Sequence, residues 1–454
     1  FRRYYRNIIT EKIALMPTNY GVLQNRINPK DKSLRAILEF ITRTSNNLIN
    51  CGTYLARQRY FKEGFYPRKY DLEKELKTNR HYKALCAQAS QQVLRGVYES
   101  FQSFQALKKA YRYGKIDRPQ KPPNFRKSGV LAQITYPKQV VKVVGDCIRF
   151  PLGKQVKAWF GIDHFLLPRP TNIEFNEIKE IRIFPRNREF YVEYVVAVPN
   201  EEKIVNPDYM IGIDTGIDNW LTCVSNVGTG FIVDGKQVKS MNHWYNKKVS
   251  TLKEGKPQGF WSKRLAQITE KRNRQMRDAV NKAARLVINH CLEHKIGKIV
   301  FGWNVGQRQE VNLGRKTNQS FVQIPTARLK QRLAELASHY GIEFIETEES
   351  YTSKASALDL DYLPVYGEKP KQKEDWQFSG KRVERGLYRT GNETLVNADA
   401  QAAINIIRKV TRTLDINGLE GLAMGALTRP QRIRLWSAKK KRSNVSLERC
   451  VASA

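Results

Sequence analysis

Apolar residues recur every three or four positions between residues 30 and 125, with polar residues between them. The first such run contains Leu34, Ile37, Leu38, Ile41 and Leu48. This period places the apolar side chains on one face of a helix. A second run covers residues 85–107, and a proline-rich stretch after residue 117 ends the pattern. The pattern predicts a helical domain over residues 30–125.

Strand patterning replaces helical patterning over residues 126–205. Residues 178–184 and 189–196 alternate between apolar and polar positions, and they flank a short turn at residues 185–188. Such an arrangement is typical of a β-hairpin. Residues 12–16 have the composition of one further strand. We predict that residues 1–29 and 126–205 together form a small β-barrel domain.

From residue 209 onward, short apolar runs alternate with longer amphipathic ones. The runs predict strands at 210–216, 220–225, 230–234, 296–303 and 342–347, and helices at 261–294, from 325 and at 397–410. The order βββ-α-β-α-β-α is that of an RNase H-like fold. The chain is therefore predicted to be a multidomain protein of mixed α/β and α+β class. A nuclease-like domain covers residues 206–410, and residues 411–454 form a basic tail.

The charge balance indicates a polyanionic partner. Lys and Arg number 79 against 43 Asp and Glu, which gives a formal net charge of +36. Such an excess favours nucleic acid. No apolar run reaches the ~20 residues that a membrane span requires, and no signal peptide is evident. We expect no membrane partner. None of the six cysteines forms a Cys-x-x-Cys pair, so a zinc ribbon is not indicated.

Two aspartates are candidates for metal-dependent phosphodiester hydrolysis, which needs carboxylates that hold Mg²⁺. Asp214 ends the apolar run 211–213, where an unpaired carboxylate is costly to bury. Asp399 stands among small residues that would let its helix approach a sheet closely. Each also has a structural interpretation. Asp214 could cap a turn, and Asp399 could be a helix-start residue favoured by the helix dipole.

The two segments together resemble a known family. Residues 211–216 (IGIDTG) and 397–405 (NADAQAAIN) resemble the first and third RuvC motifs of the TnpB family, which are transposon-encoded RNA-guided DNA endonucleases and kin of the type V CRISPR effectors. Residues 351–356 (YTSKAS) are similar to that family's Tyr-Thr-Ser segment. The resemblance covers roughly residues 30–410.

This resemblance implies RNA-guided, Mg²⁺-dependent cleavage of DNA by a single RuvC-type site. It implies two Mg²⁺ ions, for which Mn²⁺ can substitute. It also implies a guide RNA, a double-stranded DNA target with a short adjacent motif, and a place in the prokaryotic cytoplasm at the nucleoid. The barrel would correspond to a wedge-like domain and residues 30–125 to an inserted recognition domain. Both would grip the guide and its heteroduplex by backbone charge and shape.

The sequence departs from the family pattern in two places. Residues 356–396 contain no cysteine where a zinc ribbon is usual, so we predict a zinc-free target-loading insertion over residues 350–396. The strand at 299–304 (IVFGWN) also lacks the usual middle glutamate. Either the protein binds DNA under RNA guidance without cutting it, or a neighbouring strand supplies the acid.

Residues 342–350 (IEFIETEES) end in Glu348 and Glu349, and adjacent strands lie about 4.8 Å apart, so an acid from this strand could reach the same metals. The second explanation is preferred because Asp214 and Asp399 both persist. Glu349 is favoured over Glu348. Two other functions stay open. An unguided RuvC or RNase H-type nuclease would cut without RNA. In a passive RNA-binding protein, Asp214 and Asp399 would be purely structural.

Basic residues near these acids are candidates for phosphate contacts. On the predicted helix 261–294 they are Lys263, Arg264, Lys271, Arg272, Arg274 and Arg277. Before the third motif they are Arg382, Arg385 and Arg389, which would hold a scissile phosphate or form a basic surface loop. His290 and His294 have a spacing that can bind zinc, but no third ligand is evident, so helix packing is preferred.

Overall fold

The structure is a computed structural model, and it describes residues 19–27, 32–198, 203–304, 324–367, 377–411 and 424–436. The chain forms two compact units, residues 1–199 and 200–454. The strand predicted at residues 12–16 lies outside the described residues. No helix in the described part of the chain combines the length and the apolar character needed to cross a membrane.

The first unit has helices where the three-to-four-residue period predicted them. They are α1 (Lys32–Glu63), α2 (Lys69–Leu76), α3 (Arg80–Ala84) and α4 (Ala87–Arg112). The predicted apolar stripes are buried. Leu38 and Ile41 of α1 lie in the same core as Val97 and Phe101 of α4. Burial of these side chains stabilises the helical pair.

The remaining elements of the first unit are mostly strands. They are β1 (Asn19–Ile27), β2 (Ile134–Pro137), β3 (Lys142–Val144), β4 (Cys147–Pro151), α5 (Lys154–Phe160), β5 (His164–Pro168), β6 (Ile178–Arg186) and β7 (Glu189–Val198), with single 3-10 turns at Lys138–Val140 and Phe175–Glu177. The predicted hairpin is confirmed as β6–β7. Its turn residues Asn187 and Arg188 have φ of 49° and 64°, as a type I′ turn requires.

The prediction of one β-barrel is wrong for the described strands. They form two antiparallel sheets, one ordered β1-β7-β6-β2 and the other β3-β4-β5. The break follows β2, because Pro137 lacks a backbone donor and the 3-10 turn Lys138–Val140 redirects the chain before β3. Alternation within each strand predicted the hairpin, but it carries no information on which strands pair across the gap.

The second unit alternates strands and helices, as predicted, with additions. Its elements are β8 (Asn206–Thr215), β9 (Asn219–Ser225), β10 (Gly230–Asp234), α6 (Lys236–Lys253), α7 (Lys263–Glu293), β11 (Ile296–Gly302), α8 (Thr326–His339), β12 (Glu343–Thr347), β13 (Lys381–Glu384), β14 (Leu387–Arg389), β15 (Leu395–Asn397), α9 (Ala398–Val410), α10 (Met424–Thr428) and β16 (Gln431–Ile433). Helix α6 was not predicted.

A six-stranded sheet forms the centre of this unit, in the order β12-β11-β8-β9-β10-β16. Strands β11 and β12 run parallel to β8, while β9 runs antiparallel to both β8 and β10. Ile211 and Ile213 share a core with residues of α7 and α8. Helix α9 packs on the opposite face, where its Ala403 and Ile407 lie against Gly212. The predicted mixed α/β class is confirmed.

The predicted basic tail is wrong for part of its length. Residues 424–436 form α10 and β16, and β16 pairs parallel with β10 over Phe231–Val233. The segment is ordered because β10 would otherwise present an unpaired edge and because Leu427 is buried against α9. Residues 437–454, with the lysine-rich run, lie outside the described residues.

The small residues of the third motif do bring a helix close to the sheet, as predicted. A Cβ built on Gly212 would lie 2.0 Å from the carbonyl oxygen of Ala403, which no side chain permits. Glycine on β8 and alanine on α9 therefore let two backbones meet. This contact fixes the start of α9 beside the end of β8.

Candidate active site

Asp214 lies near the end of β8, on the face that α9 covers. Gly212 faces α9, and side chains of a strand alternate between faces, so Asp214 points to the same side. Asp399 is in the first turn of α9, whose N-terminus is capped by Asn397 accepting hydrogen bonds from the amides of Asp399 and Ala400. The sheet and the helix thus bring the two predicted aspartates together.

The electrostatics of Asp214 show that three acids share one neighbourhood. Its pKa lies well above the ordinary value, first because burial disfavours the charged form, and then because Glu349 and Asp399 are negative. The Thr215 amide and the Arg382 charge oppose this rise. Like charges held close together raise pKa values in this way, and sites that perform chemistry are where such clusters concentrate.

Glu349 fills the space that a side chain at position 302 would occupy. A Cβ on Gly302 would lie 2.6 Å from Oε1 and 2.8 Å from Cγ of Glu349. Gly302 ends β11, the strand on which the family pattern expects an acid, and it pairs with Thr347 of β12. The carboxylate of Glu349 therefore lies beside the end of the strand that lacks its own.

Asn304 holds Glu349 in this position. Its Oδ1 accepts a hydrogen bond from the Glu349 amide at 2.9 Å, and its Nδ2 lies 3.5 Å from Glu349 Oε2. A tight turn follows, closed by the Thr352 hydroxyl donating to the Glu349 carbonyl at 2.9 Å. Tyr351 within this turn has a left-handed φ of 65°. Such backbone geometry is costly for a tyrosine and persists only where neighbours enforce it.

Glu348 has a different environment. It forms an ion pair with Lys409 of α9, and its Oε2 accepts a hydrogen bond from the Ser350 amide. Burial opposes ionisation, but the hydrogen bonds from Lys409 and Ser350 outweigh it and hold the pKa of Glu348 below its ordinary value. Of the two adjacent acids, Glu349 is the one whose charge acts on Asp214.

The polar side of α9 holds the Tyr-Thr-Ser segment. Asn405 Nδ2 donates to the carbonyls of Thr352 and Ala355, and Gln401 Nε2 also donates to Ala355. These amides are buried, so their hydrogen bonds are costly to break. Helix α9 thereby carries Asp399 in its first turn and holds residues 352–355, which follow Glu349, in place.

Two side chains hold the Asp399 carboxylate. Asn219 Nδ2 donates to Oδ2 at 2.6 Å, and Arg382 Nη2 lies 3.7 Å from Oδ1. Of the other predicted arginines on this side, Arg385 pairs with Asp218 at 2.6 Å and Arg389 with Glu393 at 3.3 Å. Arg382 is thus the one placed at the acids.

The predicted basic residues of α7 divide into two groups. Lys263, Arg264, Lys271 and Arg274 are exposed. The other two are half-buried. Arg272 donates to Asn242 at 2.8 Å, and Arg277 lies 3.5 Å from Glu270. Nucleic-acid contacts by these residues stay a prediction, and the exposed four have the access that phosphates need.

His290 and His294 are packed together at the end of α7. Their rings lie 4.4 Å apart, and His290 Nε2 is 2.9 Å from the Thr229 hydroxyl. Burial, followed by the charge of His294, lowers the pKa of His290 to about 4. A cavity of about 890 Å³ borders His290, but none of the four candidate acids lines it.

A hydrogen-bonded cluster around Asp359 stands in the cysteine-free insertion. Asp359 Oδ2 accepts hydrogen bonds from the Ser356 hydroxyl at 2.5 Å, the Ser379 hydroxyl at 3.0 Å and the Gly391 amide at 2.6 Å. Asp361 accepts from the Ser356 amide at 2.6 Å. Burial raises the pKa of Asp359, but the hydrogen bonds outweigh it and leave that pKa below the ordinary value. One carboxylate thus joins three separate segments.

We expect Asp359→Ala to lower the free energy of unfolding of the second unit by about 2–4 kcal/mol, because hydrogen bonds to a charged acceptor are worth about 1.5–3 kcal/mol each and are not additive. Denaturant titration of the variant measures this loss. The comparison is Glu393→Ala, which removes an exposed carboxylate from the same insertion. Addition of a zinc chelator should leave both midpoints unchanged. A chelator-sensitive midpoint would contradict the prediction that this insertion is zinc-free.

The carboxylate oxygens of Asp214, Glu349 and Asp399 are of the kind that hard divalent cations prefer as ligands. Among the described residues, however, no three His, Cys, Asp or Glu side chains converge closely enough to hold one metal ion. Mg²⁺ is usually held by one or two carboxylates, with water and substrate phosphate oxygens completing its shell. Asp214, Glu349 and Asp399, the two latter of which add to the effect of burial in raising the pKa of Asp214, provide that partial donor set. The chemistry of these carboxylates therefore fits Mg²⁺ whose remaining ligands are supplied from outside the protein.

Residues 193–307 match the family OrfB_IS605, described as a probable transposase. This match includes Asp214, Asn219 and Gly302. It ends before Glu349 and Asp399. No curated protein matches the sequence.

Solved structures of similar fold come from CRISPR effectors. A Cas12f1–sgRNA–target DNA complex matches with a TM-score of 0.51 and 15% identity, over 83% of each chain. The mini-RNA-guided endonuclease CRISPR-Cas_phi3 matches with a TM-score of 0.43 and 9% identity, over 88% of this chain and 94% of that chain. The first of these shows a shared mixed α/β fold.

Two asparagines of the site were not predicted from sequence. Asn219 contacts Asp399, and Asn304 contacts Glu349. Asn219 stands just before the predicted strand 220–225 and Asn304 just after the predicted strand 296–303, where polar residues are common, so composition alone gives no reason to single them out. For Asn304 one signal existed, since it lies two residues after the strand whose usual acid is missing.

Proposed function

We propose that this protein is an RNA-guided, Mg²⁺-dependent DNA endonuclease with one RuvC-type active site, in which Asp214, Glu349 and Asp399 are the catalytic acids. The observation that carries the proposal is the Glu349 carboxylate in the Cβ space of Gly302. The site thereby has a third acid although β11 supplies none. The strand order and directions of the central sheet, which suit an RNase H-like domain, support the same conclusion.

Each residue has a stated task in this mechanism. Asp214, Glu349 and Asp399 would hold Mg²⁺, which supplies an activated water and neutralises charge on the reacting phosphate oxygens. Arg382 has its guanidinium at the same acids and would orient the scissile phosphate. Asn304 would keep Glu349 aimed at the site.

The proposed partners are a guide RNA and a double-stranded DNA target with a short adjacent motif. The net charge of +36 supports polyanionic partners. Base pairing would read the target sequence, while the protein recognises backbone shape. The exposed residues Lys263, Arg264, Lys271 and Arg274 would contact phosphates.

The test is cleavage of a matched plasmid by protein that is coexpressed with its flanking DNA and purified with its bound RNA. Cleavage should require both a target matching that RNA and Mg²⁺. We expect Asp214→Ala to reduce the rate by more than about a hundredfold while leaving target binding intact. Asp208→Ala, on the same strand and away from the acids, is the control. Binding that depends on RNA match, without cleavage under any metal condition, would instead establish a guided binding protein. Cleavage without RNA would establish an unguided nuclease.

A further inference from the structure

A chain of hydrogen bonds runs from the C-terminal strand to the acid cluster. Arg432 of β16 donates through Nη2 to Asn219 Oδ1 at 2.6 Å. Asn219 in turn donates through Nδ2 to Asp399 Oδ2 at 2.6 Å. Three elements that are distant in sequence, β16, β9 and α9, thus meet along one line of polar atoms.

The chemistry of the three groups fixes the direction of this chain. An asparagine amide has an accepting oxygen and a donating nitrogen, whereas a guanidinium only donates. Arg432 therefore donates to the amide oxygen of Asn219, and the amide nitrogen of Asn219 faces Asp399. Without Arg432, the amide could turn and present its oxygen to the carboxylate, which would repel it.

Arg432 is itself held in place. Its Nη1 lies 3.2 Å from Oδ2 of Asp234, and the other oxygen of Asp234 accepts a hydrogen bond from the Lys236 amide at the start of α6. Asp234 is largely buried, so this anchor is shielded from solvent. The parallel pairing of β16 with β10 sets Arg432 across from Ile232 of β10.

We propose that Asn219 and Arg432 are positioning residues of the active site, which orient the Asp399 carboxylate for divalent-cation binding. This inference rests on the proposed function, because it concerns how one of the proposed catalytic acids is held. Hydrogen-bond partners of metal-ligating carboxylates commonly affect metal affinity by about 10–100-fold. With Arg432 in this role, strand β16 contributes to the site although it lies outside the residues 193–307 that match the family.

The first measurement is Mn²⁺ binding, read from the free Mn²⁺ signal in electron paramagnetic resonance, on the full RNA-bound chain. Asn219→Ala and Arg432→Ala should each raise the dissociation constant by about tenfold or more. The double variant should be little worse than Asn219→Ala alone, since both act through one hydrogen bond. Arg332→Ala removes an exposed, acid-paired arginine from α8 and should bind as wild type does.

Cleavage kinetics give the second measurement. The Mg²⁺ concentration for half-maximal rate should rise in both variants, while the KM for target DNA stays constant. Arg432→Lys keeps the charge but replaces the two guanidinium nitrogens that contact Asn219 and Asp234 with a single nitrogen, so it should resemble Arg432→Ala and serves as the deciding variant if Arg432→Ala lowers the melting temperature. Unchanged Mn²⁺ affinity in Asn219→Ala and Arg432→Lys would overturn the inference. Wild-type protein that binds Mn²⁺ in an Asn219-dependent way but never cleaves would contradict the proposed function alone.

Discussion

Glu349→Ala is expected to lower Mg²⁺-dependent DNA cleavage by more than about a hundredfold, with RNA and target binding unchanged. The variant removes the carboxylate that lies at Gly302 and acts on Asp214, but leaves the fold of α9 and β11 intact. Single-turnover cleavage of a matched substrate measures the loss, and a binding assay on the same preparation separates it from failure to bind DNA.

Glu348→Ala is the matched control, because the two acids are neighbours in sequence but differ in surroundings. Glu348 pairs with Lys409, whose side chain is only 5% exposed. Removing Glu348 should therefore cost about 1–3 kcal/mol of stability and leave cleavage at permissive temperature within a few-fold of wild type. If Glu348→Ala abolished cleavage and Glu349→Ala did not, the assignment of the two acids would have to be exchanged.

A compensating pair sharpens this test. Gly302→Glu alone should be inactive and destabilised, because its Cβ would meet the Glu349 carboxylate. In the Glu349→Ala background only the end of the Ile406 side chain, with Cδ1 at 2.6 Å, still meets that Cβ, so Gly302→Glu should recover part of the lost cleavage. The recovery would come from an acid on β11 itself. No recovery, in a double variant that remains folded, would mean that this position cannot serve the same metal site.

Gly212→Ala is expected to have the largest effect on stability. The added Cβ would lie 2.0 Å from the Ala403 carbonyl oxygen, and this is a backbone atom that can move only if α9 moves. Overpacking typically costs about 1–3 kcal/mol and more where backbone must shift, so we expect about 3 kcal/mol or more. For a unit of this size each kcal/mol corresponds to about 2–4 °C in Tm. Calorimetry measures the shift.

Gly425→Ala provides the comparison for that stability measurement. No heavy atom lies within 4 Å of a Cβ at position 425. Alanine also favours a helix over glycine by about 1 kcal/mol, so this variant should be neutral or slightly stabilising. A Gly212→Ala protein that melts like wild type would show that α9 tolerates displacement from the sheet.

The sequence pattern predicted the site best where local periodicity and chemistry agree. The apolar run before Asp214 specifies a buried strand, and the small residues around Asp399 specify a helix that must lie close to it. Both follow from neighbouring residues. Which of Glu348 and Glu349 turns toward Asp214 depends instead on the turn after β12 and on Asn304, which are set by tertiary contacts.

Other elements escaped prediction for the same reason. Strand β16 is three residues long, and it exists because β10 presents an edge to pair with. Helix α6 has apolar residues at helical intervals, but Val238 is the only one of them that is buried, so the pattern marks no stripe that faces a core. The separation of the first unit's strands into two sheets depends on pairing partners, which alternation within a strand does not encode.

The contact between Gly302 and Glu349 also limits the routes by which such a site can change over evolutionary time. A glutamate at 302 and a glutamate at 349 would compete for one volume, so the residue at one position constrains the other. A glutamate in the position that Glu349 occupies is compatible only with a small residue at 302. The effect of a substitution at either position therefore depends on which residue the other already holds. Under the proposed function, comparisons that score each position separately would record a missing catalytic residue at 302 although Glu349 supplies the acid.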